Sequence, residues 1–383
     1  VPAVFGTTLV GAALSTGVYD DVGPGISNFW NSQLNVAYTV SPHFIIDGSF
    51  GYTLEDYQLT MAGYNWDKKT GLDVLGIPGT NGPGPNDGGF PAFAVDSYTK
   101  YGGNGGAGRL LAVHDPQQTY STNASWLKGT HNIRFGVDLL HQDMNHWEPL
   151  GVNDTFSFAG GPTALRGGAA PGLYNSYATF LLGLPTTIGK TLQTEQNTTR
   201  AWSEGFYVRD QWQASRKLTL SYGLRMEYYP VVTRANRGVE IYDFSSNQIS
   251  LCGNGSIPSD CGINVKHYFS PRLGVAYRMT NSLVIRAGYS ISYDPYSMAR
   301  PLLSNYPEQI TQTIAAPNSY QPAGLLANGI PASVKPDLTA EKLTVPTSVS
   351  VTTSPKDYDR GYIQSWNFTL QKELWSHFVA QAG

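Results

Sequence analysis

The sequence predicts an all-β chain, an antiparallel transmembrane β-barrel with short turns at one end and long loops at the other. Three observations carry that expectation. The best-ordered stretches alternate apolar and polar residues for about eleven positions, which is the length of a tilted membrane strand rather than the five or six of a soluble sandwich. Hairpins with turns of a few residues are separated by spans of tens of residues, always on the alternate connection. The composition is poor in ions and rich in rings.

Of the 383 residues only 14% are charged, against a usual ~25%, while 42 are Gly, 24 are Tyr and 12% are aromatic. A net charge of -3 and the lack of a basic stripe give no reason to expect a nucleic-acid partner. No run approaches the roughly 18 apolar residues of a membrane helix. A membrane location must therefore come from strands closed into a barrel, which pairs every backbone polar group without water.

The clearest hairpin spans residues 206–228. In its second strand Leu218, Leu220, Tyr222, Leu224, Met226 and Tyr228 share one face, and Thr219, Ser221, Gly223, Arg225 and Glu227 the other. Before it, residues 1–27 read as Gly-rich loop with at most one short strand, and order is expected to begin at Asn28. A hairpin follows, with Trp30, Leu34, Val36, Tyr38 and Val40 on one face and a turn at Ser41, Pro42 and His43. Its second strand carries Phe44, Ile46, Phe50 and Tyr52. From about Leu54 to Gln118 the pattern dissolves into Gly, Pro, Asn and Asp, and a long loop is expected. A third hairpin turns at Lys128 and Gly129, with Ile133, Phe135, Val137 and Leu139 opposed to Arg134, Gly136 and Asp138. A second irregular span runs from Asp143 to about Thr187; its FLLGLP (180–185) is too short to assign as helix or strand.

Beyond the central hairpin a loop from Val231 to about Val265 holds both cysteines, Cys252 and Cys261, in LCGNGSIPSDCG. A disulfide closing this loop is the favoured reading, implying an oxidising compartment; two unpaired thiols are the alternative, and no second Cys pair or His supports a metal. The next hairpin places Leu273, Val275, Tyr277, Met279, Leu283, Ile285, Tyr289 and Ile291 on one face, and Arg272, Arg278 and Arg286 on the other. A Pro, Ser and Thr-rich loop leads to the last hairpin, which contains Trp366, Phe368 and Leu370 and turns near 373–376. Trp30, Trp126, Trp212, Tyr228, Tyr229, Tyr293 and Trp366 stand at strand ends, as interfacial girdles require, or serve ordinary cross-strand packing.

The asymmetry of connections is that of outer-membrane barrels, with short periplasmic turns and long extracellular loops. In that geometry Leu218, Leu220, Tyr222, Leu224, Met226, Val275, Tyr277, Leu283, Ile285, Tyr289 and Ile291 would face lipid. Arg134, Asp138, Arg225, Glu227, Arg272, Arg278 and Arg286 would face the lumen, together with Arg209 and Asp47.

Motifs for covalent chemistry are weak. GNGGAG (103–108) matches a dinucleotide fingerprint only formally, lacking the strand before and the helix after. His141, Asp143, His146 and Glu148 are the one group of metal-type ligands, but without a metal spacing, and read as a solvated strand end. Neither a nucleophile elbow nor a Cys–His pair stands out, so no catalytic residue, metal or cofactor is expected and the chain reads as a non-enzyme.

The segments at 206–230, 270–295, 128–141 (KGTHNIRFGVDLLH), 180–185 and 362–374 (YIQSWNFTLQKEL) resemble the barrel of TonB-dependent outer-membrane transporters. They are most similar to the Oar-like group, whose members carry a carboxypeptidase-regulatory-like domain and a plug before a 22-stranded barrel. The resemblance implies an integral protein of a Gram-negative outer membrane, surrounded by lipid. It also implies a plug that couples to the inner-membrane TonB complex and an extracellular small-molecule, saccharide or peptide substrate. About 10–14 strands are expected here, residues 1–383 forming a partial barrel domain with the plug and N-terminal domains outside it. A passive porin-like channel and a surface β-rich adhesin are the alternatives.

Overall fold

The computed structural model describes residues 25–60, 69–81, 90–100, 110–148, 154–165, 172–295, 302, 305–346, 349, 351–357, 359–375 and 378–383. The formal dinucleotide motif at 103–108 lies outside the described residues.

Ten strands form one antiparallel sheet in which each neighbour in space is the next long strand in sequence. They are β1 (Gly25–Ser41), β2 (Phe44–Thr60), β4 (Leu110–Lys128), β5 (His131–Trp147), β8 (Asn197–Gln213), β9 (Leu218–Tyr228), β12 (His267–Thr280), β13 (Leu283–Tyr293), β16 (Tyr362–Trp375) and β17 (Phe378–Ala382). The sheet is open, since β1 and β17 do not pair with each other. Short links at 42–43, 129–130, 214–217 and 281–282 fall at one end, and the long connections at the other. Gly129 allows one of the two-residue turns, because its φ of +60° lies where a side chain would be strained. Three hairpins shift register just before their turn, at Thr39/Ser41, Arg278/Thr280 and Glu373/Trp375. Each is one extra residue that sharpens the local twist.

Register holds the two faces apart across the whole sheet. Trp30, Leu34, Tyr38, Phe135, Val208, Leu224, Leu273, Trp366 and Phe368 lie on one face and stay exposed, Trp366 at 76%. In water such a surface would be untenable. The buried apolar residues lie mostly elsewhere, in the long connections, which are folded rather than the irregular loop that their sequence suggests. They build two further sheets: β3 (Ala92–Val95), β6 (Thr155–Phe158), β7 (Thr187–Gln193) and β14 (Gln309–Ala315) in one; β10 (Glu240–Asp243), β11 (Gln248–Leu251) and β15 (Lys342–Thr344) in the other. Phe93, Phe156, Phe158 and Ile188 form one core under the helix Gly172–Leu181, against which Phe180 packs. FLLGLP thus begins as the end of that helix. Ile249, Leu251, Tyr306 and Ile310 form another core, and Val239, Ile241, Cys252 and Ile263 a third, reaching Ala201 of β8. These connections make a folded cap on one end of the sheet.

Strand limits also differ from the sequence reading. β1 starts at Gly25, β2 runs to Thr60, β4 begins at Leu110, β5 reaches Trp147 and β8 begins at Asn197. Each extension lies at the cap end. There the ladder continues past the depth at which one face meets hydrocarbon, so its side chains need not alternate and the period-two signal is lost.

Candidate functional site

The polar face is built in cross-strand rows. One row aligns Ser125, Arg134, Arg209, Gly223, Arg272 and Ser290 on β4, β5, β8, β9, β12 and β13. The next row toward the cap aligns Asn123, Gly136, Tyr207, Arg225 and Ser270, and the one beyond it Asp138, Gly205 and Glu227. Arg225 reaches from its row to both acids of the next, with Nη1 donating to Asp138 Oδ2 at 2.7 Å and Nε to Glu227 Oε1 at 3.0 Å. Arg134 stands 3.6 Å from Asp47, with both side chains more than a third exposed, a spacing that contributes little. Arg209 and Arg272 have no hydrogen-bond or ion-pair partner among the described residues, and neither has Arg286 nearer the turns. Arg278, at the turn end, donates to the Arg216 carbonyl at 2.7 Å. A cavity of ≈ 640 Å³ opens over these rows, lined by Arg134, Asp138, Tyr207, Arg209, Arg225 and Arg272.

The eleven apolar residues expected toward lipid lie together on the opposite face, and all seven charged residues expected toward the lumen lie on this one. On the apolar face lies a polar trio that alternation did not reveal. Asp210 Oδ2 accepts from the Tyr222 hydroxyl at 2.8 Å and lies 2.6 Å from His131 Nδ1, whose ring stacks on Trp212. The trio sits next to the short turns, at the depth where aromatic rings meet lipid headgroups.

Above the rows, the cap is pinned to the sheet by buried charges. Arg234 Nη2 donates to Glu240 Oε2 at 2.8 Å, Nε lies 3.0 Å from Glu308 Oε1, and Nη1 donates to Asn197 of β8 at 3.0 Å. Arg237 binds Glu240 at 2.6 Å and Glu195 at 2.7 Å. Arg234, Glu240 and Glu308 are nearly inaccessible. Burial pushes the Glu308 carboxyl well above its ordinary range, the neighbouring Glu240 and Glu195 adding to the shift and Arg234 and Arg237 opposing it. The members come from three separate connections, so no local sequence pattern could announce them.

The His141–Glu148 group is not the solvated strand end expected from sequence. His146 is 5% and Glu148 6% exposed, because the extended β5 is covered by the cap. His146 Nε2 lies 2.8 Å from Asp115 and Nδ1 3.4 Å from Glu148. Burial alone would lower its pKa, but the hydrogen bonds and charges of Asp115 and Glu148 prevail and raise it to about 9. His141 and Asp143 face the other way, 3.2 Å apart. Among the described residues no group of three such side chains is arranged to hold a metal ion. Cys252 and Cys261 are joined as a disulfide, their Cα atoms 5.3 Å apart.

A family model described as an outer membrane beta barrel domain matches residues 7–383. Among solved structures, the siderophore receptor PiuA from Acinetobacter baumannii aligns over 93% of this chain and 40% of its own, at 11% identity and a TM-score of 0.42. The copper transporter OprC aligns over 91% of this chain and 37% of its own, at 10% identity and 0.39. The ferric-catecholate import receptor Fiu from E. coli K12, in its closed form, gives 91%, 39%, 10% and 0.37 in the same terms. The chain thus spans about two fifths of these structures' length. No curated protein matches it.

Proposed function

Since the chain belongs to the outer membrane beta barrel domain family and is an integral outer-membrane protein, we propose that it forms part of a plugged barrel carrying a substrate across a Gram-negative outer membrane with energy from the TonB complex. The observation that carries this reading is the continuous antiparallel pairing of ten strands, with an apolar face for lipid and an Arg-rich polar face for a lumen. A closed channel wall needs that segregation, whereas a surface adhesin has no use for exposed Trp and Phe along the full sheet. The transporter-like segments at 206–230 and 270–295 favour energy coupling over passive flow, and an Oar-like origin. In this reading a plug supplied by sequence outside these residues fills the lumen. The folded cap, with the cysteine bridge suited to an oxidising surface, meets the substrate. Binding and passage involve no covalent step.

The whole protein in planar lipid bilayers is expected to show no steady ion conductance, because the plug occludes the lumen. A stable open conductance would replace this reading with that of a passive channel. Extraction of the protein from membranes by carbonate would point to an attached surface protein instead.

A further inference from the structure

We propose that the joint between the cap and the large sheet is a proton-operated latch, in which Glu308 holds one proton that keeps the cap seated on β8 and whose loss admits water and lifts it. The inference concerns how the cap is fastened, and it holds whether or not passage through the barrel is energised.

Charge count comes first. The joint gathers three carboxylates, Glu195, Glu240 and Glu308, around two guanidinium groups, Arg234 and Arg237. No other charged side chain lies within ion-pair distance of Glu308 among the described residues. One negative charge is therefore in surplus, where Arg234, Glu240 and Glu308 are at most 2% exposed. A surplus charge held away from water is costly, so the group either takes up a proton or draws water in.

Hydrogen bonding distinguishes the three acids. Glu240 receives bonds from Arg234 Nε at 3.2 Å, Arg234 Nη2 at 2.8 Å and Arg237 Nη2 at 2.6 Å. Glu195 lies at the rim, its side chain 24% exposed and 2.7 Å from Arg237. Glu308 has guanidinium groups at 3.0 and 3.5 Å, yet neither of its oxygens receives a hydrogen bond of good geometry. Burial pushes its carboxyl well above the usual range against the pull of Arg234 and Arg237. Glu308 is thus the acid that holds the proton.

The same residues fasten the cap. Arg234 donates to Asn197 Oδ1 at 3.0 Å and to the Thr198 carbonyl at 3.1 Å, both on β8, and Asn197 donates to the Leu302 carbonyl at 3.2 Å. The Glu308 carbonyl accepts from the Thr194 amide at 2.7 Å. An ionised Glu308 places its unbalanced charge where β8, the end of β7 and two long connections meet. Hydrating that charge competes with these bonds, so the joint opens while the ladder of the sheet beneath stays paired. His146 is the other titrating group nearby, reached through Gln193, whose side chain donates to the His146 and Glu195 carbonyls at 3.0 and 2.9 Å. It keeps its proton up to about pH 9, so between pH 6 and 8 the carboxylates alone work the latch.

The test is thiol labelling of the full-length protein folded in detergent micelles. Thr199, two residues from Asn197 on the same side of β8, is 1% exposed, and Val334 is 89% exposed. Thr199→Cys reports access to the joint, with Ala201→Cys, packed against the cap, as a second reporter. Val334→Cys reports the reactivity of a free thiol at each pH, and Cys252 and Cys261 are silent because they are bonded to each other. The ratio of joint to surface labelling by a soluble methanethiosulfonate reagent is expected to rise about tenfold or more from pH 6 to 8, as opening coupled to the loss of one proton requires. It is expected to stay flat once Glu308→Gln is added. Glu195→Gln restores two acids to two bases from the rim and is expected to remove most of the rise as well, an effect that a purely structural role for Glu308 would not produce. A ratio independent of pH in the parent, or one that rises equally in the Glu308→Gln background, would overturn the proposal. So would loss of the far-ultraviolet β signal over the same range, since that is unfolding and not the lifting of a cap.

Discussion

Arg234 and Glu308 come from different connections and meet at 3.0 Å, with side chains 0% and 1% exposed. A carboxyl buried this deeply resists ionisation even beside a guanidinium, since desolvation of two charges costs more than their attraction returns unless every oxygen is satisfied. Neither Glu308 oxygen has a hydrogen bond that meets strict geometry. Its raised pKa follows from burial first.

The native state therefore binds a proton that the unfolded chain releases near an ordinary pKa of 4.5. A raised folded-state pKa gives stability that is complete below the unfolded value and lost as pH rises through the folded one. Glu308→Gln, neutral throughout, is expected to gain on the parent as pH increases from 5 to 8, read by hydrogen exchange of the cap. A gap that stays constant or narrows would refute this. Arg234→Met should cost about 3–5 kcal/mol at neutral pH, because it leaves Glu240 buried without its main partner.

His146 offers a second pH dependence at the base of the cap. It lies fifteen residues along β5 from His131, beyond the ~9–11 that a strand spends in the bilayer. With a folded pKa of about 9 against 6.5, its contribution is full below pH 6.5 and is lost as pH rises through about 9. In His146→Gln the fall in melting temperature between those limits should be smaller. Titration of the imidazole by NMR near its ordinary value would contradict the pairing with Asp115 and Glu148.

The two faces make opposite demands on a new charge. Leu220→Arg or Ile285→Arg should cost ~2–4 kcal/mol if near the bilayer midplane, while Ser221→Arg, one residue along, should be mild. Folding yields into lipid vesicles measure both, and equal yields would defeat the assignment of faces.

Reduction of Cys252–Cys261, nine residues apart, should release about 2–3 kcal/mol of loop constraint. Because Cys252 packs with Val239 and Ile241, the loss should centre on β10 and β11. Hydrogen exchange with and without reductant would locate it, and uniform loss over the large sheet would speak against a local role.

What could be read from sequence follows the physics of each region. From Leu218 to Tyr228 every second side chain meets an apolar surrounding, so period two is written plainly, and the Arg225–Asp138–Glu227 group falls on the polar side by the same parity. Around Asp115 and His146 both faces are polar, so the same ladder reads as loop. The cap was illegible for another reason. Phe93 packs against Phe156 and Ile188 of another connection, and strands of four residues are too short to display a period. Glu195, Arg234 and Glu308 likewise meet only after the chain has folded. The Asp210–Tyr222 bond was hidden because a tyrosine in an apolar series looks like any other ring.

The cap's wiring also fixes an order of assembly. Each pairing in the large sheet joins strands that are neighbours along the chain or separated by one long connection. In the cap, Gln309 pairs with Gln193 and Gln248 with Thr344. Loop closure over such distances is slow and gains nothing until the intervening hairpins have brought the ends together. These cap pairings are therefore expected to close after the hairpins β8–β9 and β12–β13 that they span have found their places.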